Sequence, residues 1–225
     1  MKKWLILVLC GLVLFPILFA QTKSALESDG SGWINLLADK SLKDWVRTPL
    51  GGNPIVRAGS MNDPSPWKLD PSGEILTCDG KNAGHELFRY APELKNFIVH
   101  AEFRFPPVEK ETRYNSGVYF RTSSNGAIWH QAQATLQGGF LFMNTLVNGA
   151  GQMINKQKEM KENRIKPAGD WNLYEIRAVD KQITLWVNGA VVSEFNDCEV
   201  LSGYMGLEAE GYDVEFRNVQ LKRLP

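Results

Sequence analysis

The sequence predicts an all-β domain, on three observations. Short runs with apolar residues at every second position recur along the chain, which is the period at which a strand turns one face to a core. Gly, Pro, Asn and Asp separate those runs, and no long stretch carries the helical period. Asn188-Gly189 stands between two such runs, and both residues tolerate the positive φ of a tight hairpin turn.

The N-terminus reads as a targeting segment. Lys2 and Lys3 precede an uncharged apolar run over residues 4–19, closed by Ala20; that order is a signal peptide, residues 1–20, cleaved after Ala20. The run is shorter than the roughly 20 apolar residues of a spanning helix and contains Pro16, so no membrane anchor is expected after cleavage. Leu9 before Cys10 argues against a lipoprotein cysteine. Residues 21–32, mostly polar and rich in Gly and Ser, read as a flexible linker, with the domain at 33–225. The expected location is therefore secreted or periplasmic.

Lys+Arg and Asp+Glu number 25 each, and cleavage removes two lysines and no acid. The slightly acidic remainder has no basic surplus for nucleic acid or an anionic membrane. Cys78 and Cys198 are the two cysteines of the mature chain. An oxidising compartment permits a bridge between them, and two small buried thiols are the alternative.

The strands follow in order. Over residues 97–105, Phe97, Val99, Ala101, Phe103 and Phe105 point one way and His100, Glu102 and Arg104 the other. Residues 117–121 turn Val118 and Phe120 inward, leaving Tyr119 and Arg121 outward. Residues 129–136 put His130, Ala132, Ala134 and Leu136 on the apolar side, against Gln131, Gln133 and Thr135. Residues 144–167 break the rhythm with Gly149, Gly151 and a charged run, and read as a long connection that is either a solvated excursion or a loop over a binding face. Pro167, Gly169 and Asp170 form a turn delivering the next strand. Ile183, Leu185 and Val187 alternate with Thr184 and Trp186 before Asn188-Gly189 returns the chain through residues 190–195. Met205, Leu207 and Ala209 face inward and Glu208 and Glu210 outward. In the last strand the inward set slips by one residue, from Val214 and Phe216 to Val219 and Leu221, which predicts a β-bulge at Arg217-Asn218.

Taken in order, these landmarks resemble a known family. They are Gly32-Trp33-Ile34-Asn35-Leu36-Leu37 with Leu42-Lys43-Asp44-Trp45, residues 67–77 with Asp79-Gly80, residues 96–104, Asn115-Ser116-Gly117-Val118-Tyr119-Phe120-Arg121, residues 166–172, Trp186-Val187-Asn188-Gly189, and residues 206–211 leading to Phe216-Arg217-Asn218-Val219. The set is similar to the 3-keto-disaccharide hydrolase domain over essentially the whole mature chain. The resemblance implies a concanavalin A-like jelly-roll sandwich of two antiparallel sheets in a secreted bacterial sugar-processing protein. One position departs from it: many relatives carry Glu-x-Gln where this chain has Gln131-Ala132-Gln133.

The outward residues give the candidate site. Aromatic rings for sugar faces and amides and charges for hydroxyls are what a carbohydrate groove needs, so Glu102, Arg104, Tyr119, Gln131, Gln133, Trp186 and Glu208 are the candidate substrate-binding residues. An ordinary wet sheet face is the alternative for each. Glu208 and Glu210, two apart on one strand, suit a glycosidase carboxylate pair or a pair flanking an ion. The family resemblance also implies a 3-keto sugar, whose ketone acidifies C2 and allows elimination of the C1 substituent. For that route Glu210 is the candidate base, His130 or His100 the proton partner and Arg121 the oxyanion stabiliser; His130 falls on the apolar side, which also fits a satisfied core imidazole.

No His-x-His, Cys-x-x-Cys or Glu-x-x-His spacing suggests zinc, and neither a Gly-x-Ser-x-Gly elbow nor a phosphate-binding glycine loop occurs. No required cofactor is expected from these patterns, while a calcium held by loop oxygens leaves no spacing rule. The expected function is hydrolysis of 3-keto-glycosides or disaccharides, with a small carbohydrate as ligand. The alternatives are a non-catalytic carbohydrate-binding module, which the Gln131 departure favours, and a surface interaction module.

Overall fold

The computed structural model describes residues 22–50, 65–111 and 113–225. The expected signal peptide lies outside the described residues. Two antiparallel sheets pack face to face as a jelly-roll sandwich. Numbered in chain order, sheet I holds β1 (Trp33–Asn35), β3 (Trp67–Leu69), β4 (Ile75–Cys78), β6 (Phe97–Arg104), β11 (Asn172–Val179), β12 (Gln182–Val187), β13 (Ala190–Phe195) and β15 (Val214–Arg223). Its order is β13-β12-β11-β6-β15-β4-β3, with β1 paired to β15. Sheet II holds β2 (Trp45–Pro49), β5 (His85–Tyr90), β7 (Ser116–Thr122), β8 (Trp129–Thr135), β9 (Gly138–Val147), β10 (Ala150–Asn155) and β14 (Tyr204–Glu210), in the order β10-β9-β8-β7-β14-β5-β2.

The alternation places the core. Phe97, Val99, Ala101 and Phe103 of β6 meet Val118, Phe120, Ala132, Leu207 and Ala209 of sheet II, all fully buried. Each large apolar side chain so buried contributes about 1.5–3 kcal/mol. A charged group is buried with them. Glu86 of β5 accepts two bonds from Arg47, each 2.8 Å at its best pairing, and one of 2.8 Å from the Trp67 indole of sheet I. The fork satisfies a carboxylate that would otherwise be costly to bury.

The predicted bulge is present. The pairing of β15 with β6 shifts between Arg217 and Gln220, and Asn218 adopts φ 48°. The slip lets Phe216 and Val219 both face the core.

Two expectations are corrected. The long connection over residues 144–167 is largely ordered: β9 turns at Asn148-Gly149, with φ 52° and 75°, into β10, and a 3-10 turn follows at Gln157–Glu159. As an edge strand with almost every side chain exposed, β10 carries no apolar alternation to read. The expected linker is docked from residue 22 onward. Ser24 and Glu27 form a capping box on a short helix, α1 (Ala25–Ser28). The N–H groups of Ala25 and Leu26 donate to Glu175 on the outward face of sheet I, at 2.5 and 3.0 Å. Its Gly/Ser composition concealed a segment whose backbone donors find a buried carboxylate.

Cys78 and Cys198 are separate buried thiols. The Cys198 Sγ lies 3.2 Å from the Val200 carbonyl and 3.5 Å from His130 Nε2. Among the described residues, no helix is long and apolar enough to cross a membrane.

Candidate functional site

Strand pairing gathers one group of polar side chains on the outward face of sheet II. Glu210 of β14 stands directly across from His85 of β5, and Glu208 is one pleat away opposite Leu87. On the other side Tyr119 of β7 stands across from Gln131 of β8. Glu208 is the hub. Its carboxylate accepts from the Tyr119 hydroxyl at 2.7 Å, the Gln131 amide at 2.6 Å and His85 Nε2 at 3.0 Å. Glu210 accepts from the Asn115 amide and lies 3.9 Å from His85 Nε2. The Gln133 amide donates to the Ser116 carbonyl at 3.1 Å and to Asn115.

Burial separates the two carboxylates. The Glu208 side chain is 1% exposed and that of Glu210 40%, so Glu210 is the one open to a ligand. Burial, and then the Glu208 charge, raises the Glu210 carboxyl above its ordinary range. The hydrogen bond to Glu208 raises His85 above the ordinary histidine value despite burial, which favours the imidazolium. Burial next to Glu208 pushes the Tyr119 hydroxyl far up, so it stays a donor. A base with its affinity raised beside an imidazole whose protonated form is favoured can remove one proton and deliver another.

The Asn-Ser-Gly motif acquires a physical reason here. A Cβ on Gly117 would come within 2.4 Å of the Gln131 amide nitrogen, so only glycine leaves room for Gln131 to cross β7 and reach Glu208. That bond also accounts for the departure at position 131. A glutamate in the same place would oppose the Glu208 carboxylate, whereas the amide donates to it.

The predicted residues divide between the two sheets. Tyr119, Gln131, Gln133, Glu208 and Glu210 converge on sheet II. Glu102, Arg104 and Trp186 lie on the outward face of sheet I, across the core. Glu102 is tied to Arg217 and Asn218, at 2.7 and 3.0 Å, and Arg104 to Glu215. The Arg104 and Arg217 guanidiniums sit over the Trp171 ring at 4.6 and 4.1 Å. The Trp186 indole donates to Thr22 of the docked N-terminal segment at 2.9 Å. His100 shares this face, held by Glu175 at 2.9 Å and Asn218 at 3.2 Å. Alternation separates in from out but is blind to which sheet a strand joins.

Arg121 and His130 do not reach the site. Arg121 adopts φ 45° where β7 slips against β14, and the irregularity takes its side chain out of the alternation. Its buried guanidinium donates to the carbonyls of Lys95, Asp180 and Val200, at 2.9, 2.6 and 3.2 Å. His130 is a core imidazole between the Arg121 carbonyl at 3.2 Å and Thr145 Oγ1 at 2.8 Å. Burial lowers it to about 4, so it stays neutral. His85 and Asn115 are the residues that sequence reasoning missed. His85 carried no motif of its own, and its role comes only from standing opposite Glu210.

Among the described residues, His85, Glu208 and Glu210 are the one group of three donor side chains close enough to share a cation, their ligand atoms lying within 4.8 Å of one another. Glu208 already spends its oxygens on three donors, so a cation there would have to replace the His85 contact. Beside the carboxylates an open groove of about 390 Å3 continues over β8, β9 and β10, with Phe140, Phe142, Asn115 and Gln133 in its lining.

A jelly roll with a polar, aromatic-flanked outward face of this kind defines a carbohydrate-active β-sandwich. The chain belongs to the 3-keto-alpha-glucoside-1,2-lyase-like domain family, whose model matches residues 32–222. No curated protein matches the sequence. Among solved structures, a proposed glycosyl hydrolase from Parabacteroides distasonis superposes with a TM-score of 0.58 at 16% identity, covering 92% of this chain and 100% of its own. The carbohydrate-binding module CBM66 from Bacillus subtilis gives 0.55 at 14% identity, over 71% of this chain and 92% of its own. A Bacillus subtilis protein of unknown function with a galectin-like fold gives 0.50 at 9% identity, over 85% and 94%. At these identities the likeness is one of fold.

Proposed function

We propose that this protein, exported by its N-terminal segment, cleaves 3-keto-glucosides by elimination across C1 and C2 on the outward face of sheet II. The observation that carries this reading is the open Glu210 carboxylate, raised by burial and by Glu208, standing beside a His85 that is hydrogen-bonded to Glu208 and raised by it. The family description supplies the substrate class. The ketone at C3 acidifies the C2 hydrogen, and Glu210 takes that proton as the electron pair moves onto the carbonyl oxygen. Return of the pair expels the C1 oxygen and leaves a C1=C2 double bond conjugated with the ketone, while the half-exposed His85 imidazolium gives the departing oxygen its proton. Addition of water across the double bond completes a net hydrolysis. His85 therefore takes the place of His130 and His100 in the scheme, and Arg121 has no part in it.

A non-catalytic sugar-binding module is the second reading. It is favoured by Gln131, which replaces an acid with an amide committed to Glu208. The discriminating experiment incubates the purified mature protein with a 3-keto-glucoside and its unoxidised parent, with and without divalent metal, and follows the released aglycone. Cleavage of the keto sugar alone is the expected result. Saturable binding of both sugars with no cleavage of either establishes the second reading instead.

A further inference from the structure

One edge of sheet II is a strand with unused main-chain groups. β10 ends that sheet and is joined to β9 by the two-residue turn at Asn148-Gly149. In such a hairpin the pair that closes the turn, here Val147 with Ala150, exchanges both of its bonds, and the bonding alternates from there. Ala150, Gln152 and Ile154 therefore turn their N–H and C=O groups toward β9, and the 2.9 Å bond from the Lys156 N–H to the Leu141 carbonyl continues the same series. Gly151, Met153 and Asn155 turn theirs outward. Among the described residues these outward groups have no partner.

The strand also lacks the features that keep an edge from pairing. Ala150–Asn155 holds no charged residue and no proline, its pairs with β9 run without a bulge, and Met153 is 56% exposed. The neighbouring edge of sheet I is protected. There β13, which meets β9 through Ser193 and Leu141, is covered at Lys161, whose N–H donates to the Val192 carbonyl at 3.0 Å and whose ammonium reaches Glu194 at 2.6 Å.

We propose that β10 pairs with β10 of a second copy of this chain, antiparallel about a two-fold axis at Met153, so that two copies of sheet II become one. Opposite residues of an antiparallel pair share a face, and only those whose main-chain groups point at each other exchange bonds. With Met153 opposite its own copy, Gly151 meets Asn155 and Asn155 meets Gly151, and no outward group is left over. Centring the pair on Gln152 instead would set Asn155 opposite Gly149, whose N–H is already given to Glu199 at 2.9 Å. The Met153 register also brings the exposed Lys158 of one copy alongside the turn at residues 148–149 of the other, where Asn148 and Gly149 hold the Glu199 carboxylate. The groove over β8, β9 and β10 ends at Asn155 and Gln157, so in the dimer the grooves of the two copies meet across the axis. A single strand pair is small beside a standard interface of roughly 1,600 Å2, which sets the expected dissociation constant in the micromolar range.

The test is sedimentation velocity of the mature protein over a wide range of concentration, with three variants. The natural protein is expected to show a reversible monomer–dimer equilibrium. Met153→Lys sets two like charges opposite each other at the axis, on an exposed side chain that leaves the pairing with β9 intact, and should weaken the dimer about tenfold or more. Opposite Cα atoms of a bonded pair lie about 5.5 Å apart, within reach of a disulfide, so mild oxidation should join two copies of Met153→Cys. Ala150→Cys, which the register sets far from its own copy, should stay unjoined; Cys78 and Cys198 are buried and do not compete. The proposal stands only if the lysine weakens the dimer and the cross-link is confined to Met153→Cys. A protein that is monomeric at every concentration overturns it and leaves the edge to a strand of some other chain. A dimer that Met153→Lys leaves intact, or one in which both cysteine variants cross-link alike, overturns it by placing the contact elsewhere.

Discussion

Replacing Glu208 by Gln perturbs the hub of the sheet II cluster with almost no change of shape. The natural carboxylate is 1% exposed and accepts from Tyr119, Gln131 and His85. An amide keeps one acceptor oxygen and turns an N–H toward a donor, so one charge-assisted bond is lost and another is opposed. At about 1.5–3 kcal/mol for a hydrogen bond to a charged group, the loss comes to about 2–4 kcal/mol. For a domain of this size each kcal/mol is worth about 2–4 °C, so the melting temperature should fall by roughly 4–16 °C.

The same change removes the main cause of the raised His85 pKa, so His85 should titrate lower in the variant than in the natural protein. Two-dimensional NMR of the three histidines, assigned with His85→Gln, reads this directly. The sign is fixed by linkage. A histidine raised on folding contributes stability below its unfolded value of about 6.5 and loses it as pH rises through the folded value. The His85 share of the penalty should therefore fade as pH rises through that folded value, leaving the Tyr119 and Gln131 shares. An unchanged His85 titration together with an unchanged melting temperature would refute the hub.

Arg121→Ala should cost about 3–5 kcal/mol, because a buried guanidinium and the three carbonyls it serves lose one another; denaturant titration should show the loss, with activity per folded molecule retained. Gln131→Glu should set two carboxylates against each other, forcing one to hold a proton. An acid raised on folding adds stability at low pH and loses it as pH climbs through its folded value, so this variant should be markedly less stable at pH 8 than at pH 5, measured by thermal melts. On sheet I, His100 is disfavoured by burial but raised on balance by Glu102 and Glu175, which face it with Asn218 and the Trp33 ring. Its support for the docked N-terminal segment, through Glu175, should be present below about pH 6.5 and weaken above its folded pKa, so limited proteolysis at residues 22–28 should speed up with pH in the natural protein and vary less in His100→Gln.

Much of the fold was legible because burial imposes a period of two. The strand at Phe97, the inward His130, the Asn188-Gly189 turn and the bulge at Asn218 all follow from which side chains must leave water. The site was only half legible. Period two distinguishes the faces of a strand but not the two outer faces of a sandwich, so Glu102, Arg104 and Trp186 were grouped with Glu208 although the core lies between them. Arg121 was misplaced by an irregularity that no alternation announces, since positive φ at a non-glycine residue leaves no mark in composition. His85 and Asn115 act through cross-strand neighbours, and register is set by the whole sheet. The docked residues 22–28 read as a linker because their partner, Glu175, lies about 150 residues away.

On the proposed mechanism, Glu210 removes the C2 proton of a 3-keto-glucoside. The most direct measurement is the cleavage rate of that sugar with hydrogen and with deuterium at C2, in the natural protein and in Glu210→Gln. Deuterium should slow the natural protein several-fold, and the variant should lose about 100-fold or more, in line with the usual worth of a positioned base. Undiminished cleavage by Glu210→Gln would contradict it.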